Sequence, residues 1–132
     1  MNRTVELLRK AGVFFIATNE GNQPRVRPFG AVAEINGKLY ICTGNVKDCF
    51  RQMIENPKVE IAGMLNDTDW VRLSGTIKRD ESLSAKEEFL KQSPVPGQAA
   101  NDGIFEVFYF VDGIVKVYPL YSSEPECFDL YD

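Results

Sequence analysis

Apolar positions along this chain recur with two spacings, and the switch between them marks most of its elements. Val5, Leu7, Leu8 and Ala11 follow helical spacing, so residues 3–11 are expected as a short helix that Gly12 stops. Residues 13–18 are an unbroken apolar and aromatic run that reads as a buried strand, and Asn19-Glu20-Gly21-Asn22 is turn chemistry. An extended segment through Arg25, Val26 and Arg27 leads into a second strand at 28–35. Asn36-Gly37 predicts a type I′ hairpin, because both residues tolerate positive φ, and joins that strand to a third at 38–42. A helix at 46–55 follows, with Asn45 as N-cap, Asp48 completing a capping-box-like pattern, a core face of Phe50, Met53 and Ile54, and Asn56-Pro57 as its stop.

The second half reads the same way. Residues 59–65 form a strand, 66–69 a polar turn, and 70–78 a strand with Val71, Leu73, Gly75 and Ile77 on one face. A helix at 84–91 takes Ser82 or Ser84 as its cap, and residues 93–103 read as a loop rich in Pro, Gly, Ala and Asn. Residues 104–111 and 114–118 are expected as a hairpin around Asp112-Gly113, and residues 120–132 as an acidic tail. Phe105, Val107, Tyr109 and Val111 make one face of the first of these strands apolar, and Phe108 and Phe110 the other. An open monomeric sheet leaves one face wet, so this strand is expected to line a barrel and to meet a partner subunit. Two hairpins without repeated strand–helix–strand units predict a mainly β, α+β chain on an antiparallel sheet, closed to remove its edges. No repeat or linker divides the 132 residues, which are expected as a single domain.

Composition narrows the function. The net charge of −4 argues against a nucleic-acid partner, which calls for a basic face. Yet Arg25, Arg27, Lys38, Lys47 and Arg51 crowd into one stretch, enough for a small phosphate ligand. The absence of histidine removes Ser-His-Asp and Cys-His hydrolysis, imidazole zinc sites and a proximal-His haem, leaving no expected metal site. Cys42, Cys49 and Cys127 form no Cys-x-x-Cys pair and read as reduced thiols. Residues 1–10 hold no apolar signal core and no apolar run reaches bilayer length, so a cytoplasmic protein without membrane contact is expected.

Two segments carry candidate chemistry. Thr43, Gly44, Asn45 and Lys47 leave a strand and enter a helix, where free N–H groups favour an anion and a hydroxyl and an ammonium would complete a phosphate site. The plain alternative is an ordinary strand-to-helix connection with a solvated lysine. Arg25 and Arg27 point to one side of an extended segment, and a phosphate between them would relieve their repulsion. The alternative there is a solvated basic edge. The Asn36-Gly37 hairpin brings the two segments together. Elsewhere, Trp70 fits a core anchor or a stacking platform, and the 93–103 loop a lid or a simple connection.

The run Arg25-Val-Arg-Pro-Phe-Gly, the hairpin, and Thr43-Gly-Asn-Val-Lys-Asp-Cys-Phe-Arg-Gln-Met-Ile-Glu-Asn-Pro-Lys-Val-Glu-Ile resemble the pyridoxamine 5′-phosphate oxidase-like FMN-binding split-barrel family. The resemblance spans residues 13–118. It implies an antiparallel, Greek-key-like split β-barrel of six to seven strands with flanking short helices. It also implies a homodimer with two FMN molecules at the subunit interface. Arg27, Thr43 and Lys47 would bind the flavin phosphate, beside Arg25 and Asn45. The backbone of Pro28, Phe29 and Gly30 would follow the isoalloxazine edge, and Gln52, Trp70 and Arg72 would approach FMN from the same or the other subunit. Val32 stands where the oxidase carries a lysine, and the oxidase's C-terminal Arg- and His-containing segment has no counterpart, which points away from that particular activity. The expected function is hydride or electron transfer between FMN and a small molecule. Alternatives are a non-catalytic FMN-binding electron carrier and a barrel around another cofactor such as F420.

Overall fold

In the computed structural model, which describes residues 1–119 and 124–132, the elements follow the order α1 (Arg3–Ala11), β1 (Phe14–Glu20), β2 (Gln23–Phe29), β3 (Ala33–Ile35), β4 (Lys38–Gly44), α2 (Asp48–Glu55), β5 (Lys58–Met64), β6 (Trp70–Asp80), α3 (Leu83–Gln92), β7 (Phe105–Tyr118) and β8 (Glu126–Asp129). Local chemistry sets several boundaries. The Asn2 side chain accepts from the N–H groups of Thr4 and Val5 at the start of α1, and Gly12 ends it at φ 77°. Asn36 and Gly37, at φ 52° and 76°, make the expected turn between β3 and β4. Ser82 caps α3 by accepting from Ala85 N–H.

All strand pairings are antiparallel, in the order β2-β1-β5-β6-β7-β4-β3, with β8 on β7. The two end strands, β2 and β3, are consecutive in sequence and joined only by residues 30–32. A flat sheet of seven strands would hold its edges roughly 29 Å apart, whereas a link of this length spans about 14 Å at most. The sheet therefore curls until its edges face one another without pairing: a split barrel. Inside the curl lie Phe14, Ile16, Leu39, Ile41, Ile61, Leu73, Phe108 and Phe110, with Val5 and Leu8 of α1 and Met53 of α2 packed against them. A second cluster of Ala33, Ile35, Tyr40, Phe105 and Val107 packs under Ala85 and Phe89 of α3.

Several expectations are corrected. The strand expected at 28–35 is two strands, because residues 30–32 cross from one edge of the split to the other. The hairpin expected at Asp112-Gly113 does not form, and β7 runs unbroken through it. Thr76 pairs with Asp112 but Ile77 with Phe110, leaving Val111 as an extra residue in a bulge. Gly75 and Gly113 face each other there, and a Cβ on Gly75 would lie 2.3 Å from the Asp112 carbonyl oxygen. The Asp-Gly pair thus marks a close approach of strands, not a reversal. On the second apolar face of β7, Phe105, Val107 and Tyr109 pack with Ala85 and Phe89 of α3 in the same chain, while Val111 is exposed, so most of that face is covered without a partner. Part of the expected acidic tail is ordered as β8, and its residues 120–123 lie outside the described residues. Helix α2 begins at Asp48 and buries Cys49, Gln52 and Met53, while Ile54 is exposed.

Candidate functional site

The split in the barrel opens into a cavity of about 410 Å³. One wall is Pro28-Phe29-Gly30-Ala31, where the chain crosses from β2 to β3; a second is Cys42, Thr43 and Gly44 at the end of β4 with Val46 and Lys47 before α2. Pro94, Val95, Pro96 and Gln98 of the loop after α3 close it with Ile104 and Phe105. Gly44 is closely approached, since a Cβ there would come within 3.3 Å of Ile104 Cγ2. Lys47 is the one charged residue in the lining.

Beside this cavity sits an arginine held without a counter-ion. Arg27 Nη1 donates to Thr18 Oγ1 at 2.8 Å and to the Ile16 carbonyl at 3.3 Å, and Nη2 donates to Gln52 Oε1 at 2.6 Å. Thr18 Oγ1 donates to the same Gln52 oxygen at 2.6 Å, and both side chains are buried. Among the described residues, no carboxylate pairs with Arg27 or Lys47. Lys47 occupies the N-cap of α2 without a side-chain capping bond. Arg27, Lys47 and Thr43 converge on Cys49: burial pushes its thiol up, and the two cations and the Thr43 hydrogen bond pull it back. Burial pushes the Cys42 thiol up to about 12 against the opposing charge of Lys47. Both shifts disfavour a thiolate on either sulfur.

Of the residues singled out from the sequence, Pro28, Phe29, Gly30, Thr43, Gly44 and Lys47 line the cavity, and Arg27 and Gln52 stand together beside it. The rest lie elsewhere. Arg25 is paired with Glu20 at 3.0 Å, and Arg51 takes the other oxygen of that carboxylate at 2.8 Å. Hydrogen bonds from Arg51 and Arg25 hold the Glu20 carboxyl down at about 2. The Asn45 side chain does not cap α2; its Nδ2 donates to the Gly103 carbonyl at 2.8 Å and to Glu106 Oε2 at 3.0 Å. Trp70 stacks on Tyr118 with ring centroids 4.3 Å apart, and Arg72 lies 5.0 Å over the indole on the outer face of the sheet. Sequence reasoning offered the 93–103 loop as a lid or a simple connection without singling out Pro94, Val95 and Pro96, and gave no role to Ile104 or to the buried Glu106. The Pro-Val-Pro-Gly run is a visible signal for the wall, while nothing local marks Glu106.

The fold and site together define a split barrel with a cationic pocket at its seam. Residues 2–106 match the family model described as pyridoxamine 5′-phosphate oxidase. The chain belongs to that family. It is similar to a NimC/NimA family protein from Clostridium acetobutylicum, with 48% identity over 97% of this chain and 90% of that one, at a TM-score of 0.91. A pyridoxamine 5′-phosphate oxidase-related, FMN binding protein from Nostoc punctiforme shares the fold at 16% identity and a TM-score of 0.63, over 93% of this chain and 84% of that one. An F420 reductase does so at 16% identity and a TM-score of 0.60, over 80% of this chain and 89% of that one. Among curated proteins no relative matches the chain. Among the described residues, no helix is long and apolar enough to cross a membrane.

Proposed function

We propose that this chain is an FMN-binding flavoprotein, an oxidoreductase acting on a small molecule as a homodimer. The observation that carries the reading is the Arg27 guanidinium without a carboxylate partner, fixed by Thr18 and Gln52 beside a cavity whose lining is mostly apolar, with Thr43, Lys47 and Gln98 as its polar side chains. A partly buried cation without a carboxylate calls for an anion, and the guanidinium fork suits a phosphate. Thr43 offers a hydroxyl and Lys47 an ammonium to the same group, beside the uncapped N-terminus of α2. The walls from Pro28–Ala31 and Pro94–Pro96 suit a flat ring system and keep water from it. Bound FMN would supply the hydride or electron chemistry. With the Cys42 and Cys49 thiols both pushed up by burial, this chain's part is to bind, orient and exclude water.

Support for a homodimer comes from the outer face of the sheet. In register across it stand Pro28, Phe15, Ala62, Arg72 and Lys116, then Val26, Ala17, Glu60, Ser74 and Ile114. Phe15, Val26, Met64 and Ile114 are large, apolar and exposed on this face. Pro28 belongs both to that face and to the cavity wall, so a second copy seated there would border the cofactor site.

The test is FMN affinity in two variants. Arg27→Ala and Lys47→Ala each remove one charged hydrogen bond to phosphate, worth roughly 1.5–3 kcal/mol, and should raise Kd about 10- to 150-fold. Lys47 is exposed and bonds to no side chain, so its removal leaves the fold intact. Unchanged affinity in both variants would place the phosphate elsewhere.

A further inference from the structure

Glu106 is the one buried charged residue among the described residues, 2% exposed, on β7 beside the cavity wall but not in it. A carboxylate removed from water is costly unless every oxygen is satisfied. Here each is. Arg79 grips it in a fork, Nε to Oε1 at 2.9 Å and Nη2 to Oε2 at 3.0 Å. Lys86 Nζ stands 3.9 Å from Oε1, and Asn45 Nδ2 donates to Oε2. Burial alone would push this carboxyl up; the bonds from Arg79 and Asn45 and the charge of Lys86 outweigh it, and it lies below its usual value.

The cluster grips the Lys47 segment at both ends. On the near side, Asn45 is tied by its side chain to Glu106 and Gly103 and by its backbone N–H to the Ile104 carbonyl at 2.9 Å. On the far side, the Arg79 guanidinium lies 5.1 Å over the ring of Phe50 in the first turn of α2. Thr43 is directly paired with Glu106 across the β4–β7 ladder. A turn that must present Lys47 and free N–H groups to an anion has no helix cap of its own. It needs an external brace.

We infer that Glu106, clamped by Arg79 and Lys86, is a positioning residue that holds Asn45 and so fixes the Thr43–Lys47 turn for the cofactor's phosphate. The inference rests on the proposed FMN site and deepens it. It commits to the phosphate end: the ring walls at Pro28–Ala31 and Pro94–Pro96 do not depend on Asn45.

The test compares FMN with riboflavin, which has the same ring and no phosphate. Glu106→Gln and, separately, Asn45→Ala should each weaken FMN binding about tenfold, as loss of an outer-shell support does, and leave riboflavin affinity within about twofold of wild type. The double variant should cost no more than the larger single change, since both act on the Asn45–Glu106 tether and Asn45→Ala removes the bond to Gly103 besides. If Glu106→Gln fails to fold, Asn45→Ala decides, because it strands no buried charge. A wild-type preference for FMN that survives unchanged in both variants overturns the inference alone. Equal loss of FMN and riboflavin affinity also overturns it, as general destabilisation. A wild-type chain that binds no FMN overturns the proposed function and this inference with it.

Discussion

Among the single residues, the division of labour between Arg25 and Arg27 explains most about the site. Both point to one side of β2, as their spacing requires. Which of them keeps a free charge depends on hairpin register. Arg25 sits opposite Thr18, close enough to Glu20 for an ion pair, while Arg27 sits opposite Ile16 and finds only neutral acceptors. The sequence shows the two arginines but not that register, so it could not separate the structural cation from the candidate binding one. Glu20 also yields a pH prediction. Its carboxyl is lowered from 4.5 to about 2, so its stabilisation is complete above 4.5 and is lost as pH falls toward 2. Urea midpoints measured across that range should show wild type and Glu20→Gln converging with acid; a constant gap between them would mean that the carboxylate does not act through its charge.

For the elements, the bulge between β6 and β7 and the cover by α3 are the features that sequence patterns conceal. Asp-Gly between two apolar runs is as good a hairpin signal as Asn-Gly, and only one of the two pairs turns the chain here. At Asn36-Gly37 both residues adopt positive φ; at Asp112-Gly113 neither does. What decides is the partner strand: β6 is long enough, at 11 residues, to pair with β7 on both sides of the glycine. Gly75→Ala should destabilise by about 3 kcal/mol or more, because the new methyl meets backbone that cannot step aside. Gly37→Ala, with open space around it, should cost only the left-handed strain of about 1–2 kcal/mol. Equal costs in urea denaturation would contradict this account of the bulge. The doubly apolar β7 was legible as a buried strand, but the identity of its second cover was not. Phe89, fully buried against Phe105, anchors that cover, and Phe89→Ala should cost about 3–5 kcal/mol.

Over the whole molecule, most of the architecture could be read from periodicity and turns: three helices and the strands of a curled antiparallel sheet, among the described residues. Closure follows from the need to remove sheet edges and from the family resemblance, but the pairing order that makes the split does not, because it joins distant strands that no local pattern relates. The site inherits that limit. Its strand-to-helix half was visible in Thr43 to Lys47, whereas the Pro94–Pro96 wall and the Glu106 brace arrive from residues about 50 to 60 positions away in the sequence. Assembly is the molecule's remaining property to test. Light scattering should give twice the 14.9 kDa chain mass, and Phe15→Glu with Met64→Glu should halve it by charging the apolar face. A monomeric wild type would leave that face to another role. The central claim, a phosphate-anchored flavin in the seam of the barrel, is tested most directly by titrating the purified chain with FMN and with riboflavin and following flavin fluorescence. The account predicts one FMN per chain, bound at least about tenfold more tightly than riboflavin. Equal affinity for the two, or no FMN binding by a chain that takes up a deazaflavin instead, would contradict it.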